Sequence, residues 1–148
     1  MTWCELIRGF SVFPRPSKLR PRQKAATVRR VTQILVIEDD VATRDLLRQV
    51  LGDEGYELLL VGRLEDAAAD AAPDLVITDL VGLDRYDSGR AHASVGRVRE
   101  LYPTTPIIVC TGYEQAAEES DYLGAAAVLP KPFAIEALVQ VVSRLAPH

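Results

Sequence analysis

Residues 34–40 read Ile34-Leu35-Val36-Ile37-Glu38-Asp39-Asp40, four consecutive apolar side chains followed at once by three carboxylates. A half-exposed strand alternates apolar and polar residues. A strand apolar on both faces is buried on both, as in a parallel sheet. Runs of the same kind recur at residues 58–61 (LLLV), 75–77 (LVI), 107–110 (IIVC) and 125–129 (AAAVL). Helical spacing fills the gaps. Leu46, Leu47, Val50 and Leu51 share one face, with Gly52 and Gly55 placed to end that helix. Leu64, Ala67, Ala68 and Ala71 predict a second helix before Pro73, and Ala91, Val95, Val98 and Tyr102 a third before Pro103. Ile135, Leu138, Val139, Val142 and Leu145 form the clearest stripe, whereas residues 114–123 offer only Ala116, Ala117 and Leu123. Five βα units predict an α/β fold, a doubly wound five-stranded parallel sheet with helices on both faces.

The chain has 148 residues, 48% of them apolar, which suits one domain with a real core. Its net charge of −4 hides an asymmetry. Residues 1–33 hold eight Lys/Arg against Glu5 alone, a net +7, so the remainder carries −11. Pro14, Pro16 and Pro21 interrupt the basic arm, and residues 1–33 read as a flexible extension before a domain at 34–148. A domain so acidic repels phosphate backbones, which argues against direct binding of nucleic acid. Cys4 and Cys110 make neither a disulfide framework nor a metal spacing. No apolar run approaches the ~20 residues of a membrane span, and residues 3–13 lack the features of a signal peptide. A cytoplasmic location is the expectation.

In a doubly wound sheet the carboxyl ends of the strands are where ligands bind. Those ends carry Glu38-Asp39-Asp40, Thr78-Asp79, Thr111-Gly112 and Pro130-Lys131-Pro132. Each residue alone has an ordinary reading. Asp40 suits a helix cap, Asp39 or Asp79 a turn, Thr111 a strand terminus and Lys131 a surface charge. Together they make coherent chemistry. Converging carboxylates attract a hard divalent ion, and magnesium favours a few carboxylates, waters and a phosphate oxygen. A carboxylate can attack a phosphoryl group, and a lysine and a hydroxyl can hold the charge that such a transfer moves.

Residues 34–40 (ILVIEDD), 74–80 (DLVITDL), 106–112 (PIIVCTG) and 124–133 (GAAAVLPKPF) resemble, in order and spacing, the receiver domain of bacterial response regulators. The resemblance implies a CheY-like, flavodoxin-like (βα)5 fold with strand order 2-1-3-4-5. It implies that Asp79 accepts a phosphoryl group from a histidine kinase or phosphotransfer protein. Asp39 would ligate Mg2+ directly, Glu38 would act beside it, and Val81 would offer its backbone carbonyl. Thr111 matches the switch hydroxyl and Lys131 the phosphate-pairing lysine, whose bond to Pro132 is cis in the family. It implies no enzyme beyond assistance to the domain's own phosphorylation and dephosphorylation. It also implies a downstream protein partner, and it leaves open a homodimer through the surface of the fourth helix, fifth strand and fifth helix.

Three features depart from the family pattern. Leu83 stands where the loop after the phosphorylated aspartate usually has proline, and the closing glycine comes late, as Gly89. Val128 stands where a rotating Tyr or Phe reports phosphorylation. The basic arm has no counterpart. Val81 and Tyr113 are poor at positioning a water, which implies slow loss of the phosphoryl group. The last predicted helix reaches the C-terminus, so a stand-alone switch is the expectation. The alternative is an unphosphorylated receiver-like interaction module. A phosphohydrolase fits poorly because its paired acids would stand one residue apart on the first strand, and a dinucleotide-binding fold lacks its glycine-rich turn.

Overall fold

The apolar run after residue 32 becomes the first strand, β1 (Gln33–Ile37), and its Ile34, Leu35, Val36 and Ile37 are at most 3% exposed. The burial follows from its place in the sheet. β2 (Glu57–Val61) pairs with one edge of β1 and β3 (Leu75–Thr78) with the other, both parallel. β4 (Ile107–Thr111) and β5 (Ala127–Pro130) complete a five-stranded sheet in the order β2-β1-β3-β4-β5. The computed structural model describes residues 29–80 and 82–148. Residues 1–28 of the basic arm and the carbonyl of Val81 lie outside the described residues.

Alternate residues of each strand feed two cores. On one face, Ile34, Val36, Ile77 and Ile108 pack with Leu47 and Leu51 of α1 (Val41–Asp53) and Leu138 and Val142 of α5 (Ile135–Leu145). On the other, Leu35, Ile37, Val76 and Val109 meet Ala91, Val95 and Val98 of α2 (Ser88–Leu101). Only the edge strands β2 and β5 are half-buried, because each has a neighbour on one side only. Asp40 caps α1 as its sequence position implies, its carboxylate accepting from Thr43 N–H at 2.7 Å. Beyond that helix Gly55 takes φ +91°, a conformation that a side chain disfavours.

The second predicted helix does not form. Residues 64–73 make one 3-10 turn, Leu64–Asp66, after which Ala67 is extended at φ −71°, ψ 136°. Alanine favours helix, but a segment this short before Pro73 needs a large apolar face to hold it, and only Leu64 supplies more than methyl groups. One of the five βα units therefore lacks its helix, while the parallel strand order is unaffected. The weak 114–123 segment is split into two single-turn helices, α3 (Gln115–Glu118) and α4 (Ser120–Leu123), broken at Glu119. Ala116 and Leu123 are buried there as their spacing predicts, and Ala117 is exposed.

Candidate functional site

Strand register builds the site. Ile37 of β1 sits opposite Thr78 of β3. The next residue of each chain is an acid, so Glu38 and Asp79 emerge side by side where pairing ends, with Asp79 N–H still donating to Ile37 O at 3.1 Å. β4 brings Thr111 to the same edge, opposite Pro130 of β5, and Lys131 N–H donates to Thr111 O at 2.7 Å. That bond directs the chain that carries the lysine toward the acids. The Lys131–Pro132 bond is cis.

Lys131 Nζ bridges the two strands, donating to Glu38 Oε2 at 2.7 Å and to Asp79 Oδ2 at 3.2 Å. The other carboxylate oxygens are held by the backbone. Asp40 N–H donates to Glu38 Oε1 at 3.1 Å and Leu80 N–H to Asp79 Oδ1 at 2.7 Å. Arg44 Nη1 also donates to the Glu38 carbonyl at 2.9 Å, tying α1 to the loop. Asp39 is exposed, yet it offers an oxygen within 4.8 Å of oxygens of Glu38 and Asp79. Three carboxylates thus converge beside one lysine, which pairs with Glu38 and Asp79, in a space suited to a divalent cation.

Burial and charge act together here. Glu38 has a side chain only 3% exposed, and its desolvation raises its carboxyl above the usual range, against the pull of Lys131 and of Asp40 N–H. Burial works against the charge of Lys131, but the bond to Glu38 and the charges of Asp79 and Glu38 outweigh it and raise the ammonium. Cys110, just before Thr111, is a buried filler whose thiol desolvation pushes up to about 12.

Glu38, Asp39, Asp79 and Lys131 therefore meet. Thr111 lies on the same edge, completely buried, but its Oγ1 accepts from Tyr113 N–H at 3.2 Å and makes no bond to Asp79 among the described residues. Several contacts around the loop after Asp79 were not foreseen from the sequence. Tyr113 donates its hydroxyl proton to Leu83 O, Tyr86 donates to Glu119, and Ser88 Oγ lies 2.7 Å from both Glu119 oxygens. The loop's unusual length was the one legible signal. Partners 30 to 33 residues apart leave no local pattern. Beside the site, a cavity of about 320 Å3 is lined by Ile37, Leu64, Thr78, Asp79, Arg97 and Val98 among others.

Comparison with known proteins agrees with this geometry. The family model for the response regulator receiver domain matches residues 34–143. The DNA-binding transcriptional regulator NtrC of Bradyrhizobium sp. is 34% identical over 116 residues, covering 75% of this chain and 23% of that protein. The response regulator MprA of Mycolicibacterium vanbaalenii is 38% identical over 114 residues, covering 72% of this chain and 47% of that protein. The chain thus spans about a quarter to a half of these curated relatives. Chemotaxis protein CheY4 of Vibrio cholerae superposes with a TM-score of 0.62 at 26% identity, covering 78% of this chain and 99% of that one. Response regulator TrrA of Thermotoga maritima, solved with Mg2+ and beryllofluoride, gives 0.63 at 26% identity, covering 78% and 99%. By fold, site geometry and family match, the chain belongs to the response regulator receiver domain family.

Proposed function

We propose that this receiver accepts a phosphoryl group on Asp79, with Mg2+ bound by Glu38, Asp39 and Asp79, and thereby changes the surface it offers to a protein partner. The observation that carries the reading is the convergence of three carboxylate oxygens within 4.8 Å beside Lys131.

The donor in this reading is a phosphohistidine of a kinase or phosphotransfer protein. An Asp79 oxygen attacks phosphorus, a P–O bond forms, the P–N bond breaks, and the imidazole keeps the electron pair. Bound magnesium supplies neutralisation of the carboxylates and of the phosphoryl oxygens. The protein supplies the rest. Leu80 N–H orients the Asp79 carboxylate at 2.7 Å, and Lys131 is poised 3.2 Å from its other oxygen, placed to follow the charge onto the phosphoryl group. Thr111 offers a hydroxyl donor at the same edge. The Val81 carbonyl is assigned a place on the metal by the family pattern.

Purified protein incubated with magnesium and acetyl phosphate should gain one phosphoryl group, ~80 Da by intact mass. The gain should vanish in Asp79→Asn and on chelation of magnesium. Failure of the wild type to take either the phosphoryl group or beryllofluoride would favour an unphosphorylated interaction module instead.

A further inference from the structure

We infer that residues 3–13, which lie outside the described residues, dock as an amphipathic helix in the groove between α2 and the crossover at 62–74. The sequence carries the signs of such a helix. Thr2 and Glu5 have the spacing of a capping box, and Pro14 stops the helix. Trp3, Leu6, Ile7, Phe10 and Phe13 recur at helical spacing and fall within about a third of a turn, with Glu5 and Arg8 on the opposite side. A helix this short is held only by a surface that buries its apolar face.

The domain offers that surface. Edge strand β2 sends Leu59 and Val61 to the same apolar cluster as α2, and both are only half-buried. The crossover beside them adds Leu64 and Ala67, also half-buried, on a single 3-10 turn. On α2, Ser94, Arg97 and Val98 line the cavity that also holds Leu64 and Asp79. Leu101 falls on the same helix face by spacing and is 51% exposed. The groove thus runs from Asp79, at the carboxyl edge of the sheet, to Leu101, at the amino edge. Arg97 and Glu65 pair across it with both side chains more than half exposed. Such a pair contributes little and parts readily to form a polar rim.

Where the arm leaves the domain selects this occupant. Arg30 Nη2 donates to Ala72 O at 3.3 Å and pairs with Asp74 Oδ1 at 3.4 Å, so the arm departs beside the end of the crossover. Thr105 Oγ1 donates to Pro73 O at 3.3 Å, which brings the turn after Leu101 to the same edge. Residues 14–28 span up to about 50 Å when extended, ample to reach the groove. A helix over 3–13 is about 16 Å long, the length of the five-residue strand β2. Charge favours the same place. Arg15, Lys18, Arg20, Arg22 and Lys24 lie in the linker, and Glu65, Asp66, Asp70 and Asp74 lie on the crossover. With Phe13 at the amino edge, where the linker starts, Trp3 reaches the cavity beside Asp79 and closes it.

Trp3 is the only tryptophan of the chain, so acrylamide quenching of its fluorescence reads the docking directly in the full-length protein. Folded wild type should be quenched about 3-fold less efficiently than the urea-unfolded chain, at every protein concentration. Leu101→Asp, in the groove, and Ile7→Asp, in the arm, should each raise quenching toward the unfolded value while circular dichroism shows the domain still folded. Leu46→Asp, at an exposed position of α1 on the other face of the sheet, should leave it unchanged. Equal quenching of folded and unfolded wild type overturns the inference. So does protection that Leu101→Asp or Ile7→Asp leaves intact, or that Leu46→Asp removes equally. Protection that fades on dilution, with a dimer in sedimentation, assigns the segment to a second copy and overturns docking within one chain.

Discussion

Replacing Asp79 with Asn should stabilise the protein without magnesium and leave it the less stable of the two with magnesium. Its oxygens lie within 4.8 Å of oxygens of Glu38 and Asp39, and 3.2 Å from Lys131 Nζ. With an effective dielectric of about 40, each repulsion is worth about 1.7 kcal/mol and the attraction about 2.6 kcal/mol. Two repulsions exceed one attraction by about 1 kcal/mol, which the neutral amide recovers. In chelator, Asp79→Asn should therefore melt about 4 °C above wild type. Magnesium reverses the order. At ten times its Kd, a ligand that binds only the folded state adds about 1.4 kcal/mol, and the variant has lost one of three carboxylates from that site. Thermal melts followed by circular dichroism, across a magnesium titration, should show the two curves crossing. A variant no more stable than wild type in chelator would refute the electrostatic reasoning. Equal magnesium responses would refute the assignment of Asp79 to the metal site.

Three further outcomes follow from other parts of the molecule. Leu51, fully buried between α1 and the sheet, should cost about 2–5 kcal/mol as Leu51→Ala, read as a lower urea midpoint at unchanged slope; a loss below ~1 kcal/mol would mean the site collapses around the cavity. The bond from Tyr86, and then that from Ser88, hold the Glu119 carboxyl below its ordinary 4.5, so its contribution is complete above pH 4.5 and is lost as pH falls through the lower folded value. The melting-temperature gap between wild type and Glu119→Gln should accordingly close in acid, and a gap independent of pH would show that the carboxylate charge contributes nothing. With its thiol pushed up to about 12, Cys110 in a Cys4→Ser background should resist alkylation near neutral pH until the protein is unfolded; rapid labelling of the folded protein would contradict its burial.

Much of the architecture was legible because it is local. ILVI, LLLV, LVI and IIVC are apolar at every position, and only a strand covered on both faces tolerates that. Asp40 stands where a helix must find an acceptor for its first N–H groups, and it caps α1. The acids at residues 38, 39 and 79 and the lysine at 131 were readable as one cluster, since in a parallel sheet all strand ends share an edge. Local reading failed where local preference was outvoted. The alanines before Pro73 favour a helix but bury too little surface to hold one, and a 3-10 turn stands there instead.

The sequence by itself determined the strands and most of the helices, because each is written in residues a few positions apart, and it placed acids and a lysine at the strand ends, because each stands directly after its own apolar run. Only the tertiary structure decided the pairings. Register set Glu38 beside Asp79, the return of β5 laid Lys131 across both, and the folded loop after Asp79 carried Tyr86 to Glu119. Those partners are 33 to 93 residues apart, and no periodicity reaches that far. A side chain's partner across the chain is selected by how the layers pack, which is a property of the whole fold.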